Sequence, residues 1–84
     1  MSRIDDTLAA ISGAKDQVDQ MIAAISAAMQ EAEETADGLA AAGAETNAAM
    51  LSQCRATLEQ AVQAVSAVNE VLDEASQQAE AGKG

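Results

Sequence analysis

This chain has no proline, no phenylalanine, tyrosine or tryptophan, and no histidine. Without proline, nothing in it forces a helix to stop. Without aromatic rings it has no platform on which the bases of a single strand could stack. Without histidine it has no residue whose ordinary pKa suits proton transfer near neutrality. Basic residues are almost as scarce: Arg3, Lys15, Arg55 and Lys83 stand against 14 acids, for a formal charge of −10. Such a field repels nucleic-acid phosphates and anionic lipid. Neither a nucleic-acid partner nor a membrane partner is expected.

Cys54 is the sole cysteine, so an intrachain disulfide and a cysteine-based metal framework are excluded. Its place in the apolar pattern suggests a small buried side chain. The acids of "EAEETAD" (31–37) lack the oxygen spacing and turn glycine of a calcium loop, and read as a solvated face. A serine paired with Lys15 has no motif behind it. The chain is therefore expected to be no enzyme, with no catalytic residue, cofactor or metal. Arg3 is followed within three residues by Asp5 and Asp6, unlike the start of a cleavable signal peptide. The longest apolar run, "MIAAISAAM", is too short to cross a bilayer. A cytoplasmic protein, or one exported without a cleavable signal, is the expectation.

What the chain has in abundance is alanine, at 22 of 84 positions, among other strong helix formers. Through the first half, Ile4, Leu8, Ile11, Lys15, Val18, Ile22, Ile25, Met29, Ala32, Ala36 and Leu39 recur at alternating spacings of three and four. That is the seam of a helix packing lengthwise on another. Lys15 is its one charge; its stem can pack while the amine reaches water or an acid. Ser2 and Asp5 have the spacing of a capping box. The second half gives Ala44, Asn47, Leu51, Cys54, Leu58, Ala61, Val65, Val68, Leu72, Ala75 and Ala79 as a second seam. Its phase lies one residue later than the first would predict, and the slip falls within "TADGLAAAGAET". Gly38 and Gly43 sit there, and each costs about 1 kcal/mol inside a helix.

These features predict one all-α domain, an antiparallel two-helix hairpin over 1–84. The expected first helix covers about 3–37, the turn 38–43, the second helix about 44–79, with a frayed tail at 80–84. A turn near residue 41 sets Ile22 opposite Ala61 and Ile11 opposite Leu72. Two helices cover only one side of each other, and Met21, Met50, Val62 and Val71 flank the seams. They predict an interface at which two hairpins complete a four-helix bundle, most simply as a homodimer.

The short, acidic, alanine-rich hairpin resembles the WXG100 (ESAT-6-like) superfamily, and its composition is similar to that of small helical proteins of actinobacteria. At the family's Trp-x-Gly turn this chain has Ala36-Asp37-Gly38, keeping the glycine. Asn69, Glu70 and Ser76 stand where the family's export signal would place a tyrosine ahead of Asp73, Glu74 or Glu80. The resemblance implies a partner or adaptor in type VII secretion, bound to a related hairpin or a larger secreted protein. A cytoplasmic structural or regulatory scaffold is the alternative.

Overall fold

A computed structural model describes residues 2–84. Helix α1 spans Arg3–Ala41 and helix α2 spans Glu45–Ala81; they pack side by side as an antiparallel hairpin. The result is a rod of 64 × 17 × 9 Å. Ser2 begins α1 as the sequence suggests: its hydroxyl accepts the Asp5 amide at 3.1 Å, satisfying one of the four free N–H groups of the first turn.

The turn is shorter and later than expected. Gly38 lies inside α1, and its carbonyl accepts the Ala42 amide at 3.1 Å. The chain reverses at Gly43, which has a φ of 83°. The Gly43 amide donates to Ala40 at 3.0 Å and the Ala44 amide to Leu39 at 2.8 Å. This is a Schellman closure, which needs a left-handed residue directly after the helix cap. A side chain at that φ would be strained, so Gly43 is required, whereas Gly38 is a tolerated glycine in an ordinary turn of helix. Glu45 opens α2 without any side-chain cap on Ala44. At the other end α2 runs on to Ala81, so Glu80 and Ala81 belong to the helix and not to a frayed tail.

Moving the turn moves the pairing. Lys15 with Asp73, Asp19 with Asn69, Glu33 with Arg55, and Asp5 with Lys83 all join the two helices. The two numbers of each pair add to 88, so a single register holds from end to end. Ile22 is therefore level with Val65 and Ser66, not Ala61, and Ile11 lies level with Ser76 and Gln77, not Leu72. The expected pairing was displaced by about five residues because the turn centre lies near residue 44 rather than 41.

Little of this hairpin is deeply buried. Ala32, Ala36 and Ala48 are the buried residues among those described, at 6%, 7% and 8% exposure. They cluster at the turn end, where alanine lets the backbones approach. Farther along, Ile4, Leu8, Ile11, Val18, Ile22, Ile25 and Met29 are half-buried, as are Leu51, Leu58, Val65 and Leu72.

The two mid-chain glycines should respond oppositely to one substitution. Gly38→Ala meets open space in a helix and is expected to add about 0.5–1 kcal/mol. Gly43→Ala is expected to remove about 1–2 kcal/mol, the cost of a side chain in the left-handed region. Urea melts at one protein concentration would read both; equal effects would contradict this turn.

Candidate functional site

The seam of α1 is the one that the spacing predicts, from Ile4 through Lys15 to Leu39. That of α2 is not. The residues turned toward α1 are Ala44, Ala48, Leu51, Arg55, Leu58, Val62, Val65, Asn69, Leu72, Ser76 and Ala79. Half of the expected stripe is correct, and the alternate positions shift by one residue. Cys54 and Val68, expected in the seam, are exposed. Ala61 sits half-buried at its edge, while Val62, expected at an outer interface, is half-buried within it.

The shifted positions carry polar contacts between the helices. Arg55 sits between acids of both helices: Nε lies 3.5 Å from Glu33 Oε2, and Nη1 lies 3.6 Å from Glu59 Oε2. Asn69 Nδ2 donates to Asp19 Oδ1 at 2.9 Å. Lys15 pairs with Asp73, and Lys83 reaches Asp5 Oδ1 at 2.9 Å and Glu80 Oε1 at 3.4 Å. Lys15 and Arg55 thus occupy the line of contact, half-buried, with their heads turned to one side, and Lys83 reaches the same side from just beyond α2.

That side is acidic. Positions one place after a seam residue point toward it on both helices, as Arg55 demonstrates by bridging Glu33 and Glu59. They include Asp5, Asp16, Asp19, Glu33 and Asp37 on α1, and Glu45, Glu59, Glu70, Asp73 and Glu80 on α2. Ten of the 14 acids therefore share one face.

The opposite face is formed by positions one place before a seam residue. On α1 these run Thr7, Ala10, Ala14, Gln17, Met21, Ala24, Ala28; on α2 they run Met50, Cys54, Thr57, Ala61, Ala64, Val68, Val71, Ala75, Gln78. None is charged. Arg3 and Glu31 bound the α1 stripe at its two ends. Thr7 and Thr57 each tie their hydroxyl back to their own helix, on the carbonyls of Arg3 at 3.0 Å and Gln53 at 3.1 Å. That leaves both threonines little hydrogen-bonding demand at the surface. Every large exposed hydrophobic side chain among the described residues is here: Met21 at 52%, Met50 at 59%, Val68 at 46% and Val71 at 64%.

No family model, curated protein or solved structure matches this chain. Its surface must be read on its own chemistry. Among the described residues there is no enclosed pocket and no group of three acids, cysteines or histidines placed to hold a metal ion. No helix among them is long and apolar enough to cross a membrane. What the fold does assemble is one charge-free face some 40 Å long on α2, at about 1.5 Å per residue. Met21, Met50 and Val71 lie on it with Cys54 and Val68, whereas Val62 lies in the contact between the helices. Sequence periodicity misses Arg55 and Asn69 because both are polar, although their spacing from Leu51, Leu58, Val65 and Leu72 fits a seam as well as that of Cys54 and Val68.

Asn69 is only half satisfied: its Oδ1 is enclosed without a partner. Asn69→Leu removes that carbonyl and widens the apolar contact, so thermal melts should show stabilisation of about 1 kcal/mol, against the loss of one exposed hydrogen bond to Asp19. A destabilised variant would show that the Asn69–Asp19 bond outweighs the orphaned oxygen.

The ion pairs set a pH window. The hydrogen bond from Lys15 to Asp73 raises the pKa of Lys15 above 10.5, and Asp5 does the same for Lys83. Lys83, then the Ser2 hydroxyl, hold Asp5 below its usual 3.8. A lysine with a raised folded-state pKa stabilises fully below its unfolded value and loses that contribution as pH rises through the folded one. A carboxylate with a lowered pKa stabilises above its unfolded value and loses it as pH falls through the folded one. These groups should leave the melting temperature flat between roughly pH 5 and 9 and lower it at alkaline pH. In Lys15→Met the alkaline decline should be shallower.

Proposed function

We propose that this chain is a non-catalytic helical interaction module that completes its core by packing against another helical chain. One observation carries the reading. Among the described residues, all the large hydrophobic side chains left exposed lie on a single uncharged face, and the buried side chains are all alanines. Contiguous apolar surface on a soluble helix face is characteristic of association. Packing two such hairpins gives the four-helix arrangement.

Two settings fit such a module. A partner or adaptor in type VII secretion is supported by length and hairpin architecture alone, since Ala36-Asp37-Gly38 lies inside α1 and the turn glycine is Gly43. A cytoplasmic structural or regulatory scaffold uses the same association without export.

Sedimentation equilibrium over a concentration series tests the association. The mass is expected to rise from 8.5 kDa toward twice that value. A well-folded chain that keeps the monomer mass throughout would overturn self-completion.

A further inference from the structure

We infer that the partner seated on the charge-free face is a second copy of this chain, packed face to face so that both acidic faces point outward. The inference rests on the association proposed above and specifies its surface.

Area is the first argument. The hairpin exposes 5763 Å². A compact folded monomer of this mass exposes about 4,700 Å², leaving an excess of about 1,100 Å² per chain. A standard stable interface takes about 800 Å² from each partner, so one lengthwise contact accounts for the excess.

Charge is the second argument, and it selects the face. The chain carries −10 overall and has no basic patch to receive its acidic face, because Lys15, Arg55 and Lys83 are already held among its own acids and Arg3 stands alone at one end of the α1 stripe. Two acidic faces brought together would desolvate and oppose carboxylates on both sides. Two charge-free faces meet without burying an ion, and the acidic rows then lie at opposite outer surfaces, about as far apart as the assembly allows. The face is also self-complementary in size: Val68 and Val71 stand beside Ala61 and Ala64 on α2, so ridges and hollows alternate within the surface that each copy offers the other. Cys54 lies on this face and is exposed in the single chain.

Cys54 supplies a test that needs no substitution. Iodoacetamide labelling of the wild-type thiol is followed across the concentrations over which the mass doubles. Labelling is expected to slow about tenfold or more as copies associate, since the thiol passes from solvent into an interface. Val68→Gln with Val71→Gln should weaken self-association about tenfold or more, through lost apolar burial. Gln63→Ala with Gln77→Ala, on the acidic face, should leave it within about twofold. If the mass doubles while Cys54 labels at an unchanged rate, the chain associates through another face, and this inference fails while the association reading stands. If the mass never doubles, the second copy is overturned as the occupant.

Discussion

The pairing of the two helices depends on cations placed where a hydrophobic seam would ordinarily have none. Lys15 and Arg55 lie along the contact line and Lys83 just past its end, and each is held by acids on the same side of the hairpin. An alanine-rich interface is weakly specific, because small, similar side chains allow one helix to slide past the other by a heptad at little cost in packing. Charged side chains at the contact line do not tolerate such a slide. A shift by one heptad would take Arg55 from Glu33 to the level of Ser26 or Ala40, and would separate Lys15 from Asp73. Polar seam residues fix register in coiled coils in this way, at some expense of stability.

The same contacts decide which faces the hairpin shows. With the cation heads drawn to one side, the acids gather there, and the opposite flank is left with alanine, valine, methionine and threonine. Charge segregation and the unpartnered apolar face are two results of one arrangement. Had Cys54 and Val68 formed the seam instead, Arg55 and Asn69 would have stood one place after it, at the edge of the acidic face rather than within the contact.

The structure shows which parts of this were legible in the residues. The α1 seam was, because its spacing is unbroken over ten turns and its single charge has a stem long enough to pack. The α2 seam was only half legible. Leu51, Leu58, Val65 and Leu72 belong to two overlapping heptad stripes, one completed by Cys54, Ala61 and Val68, the other by Arg55, Val62 and Asn69. Periodicity alone cannot choose between them, and hydrophobicity favours the wrong one. Arg55 and Asn69 meet acids about 22 and 50 residues away in sequence, contacts that a single-helix pattern does not contain. Gly38 misleads for a simpler reason: a helical glycine has the cost of a stop signal, although Leu39, one residue on, still fits the α1 seam. Only Gly43 answers a conformational need.

Specificity and stability in this molecule therefore have different sources. The ion pairs that join the helices are between a third and three-fifths exposed, a setting in which solvent screening leaves each little net stabilisation. The three buried side chains are alanines, whose apolar area is small at about 25 cal/mol per Å². Neither source supplies much of the conformational entropy lost in ordering 76 helical residues, which amounts to about 1–2 kcal/mol for each backbone unit. The remaining stabilisation has to come from the half-buried isoleucines, leucines and valines, whose burial one helical neighbour leaves incomplete. The association proposed above would extend that burial over the uncharged face, where the side chains meet a neighbour without enclosing a charge.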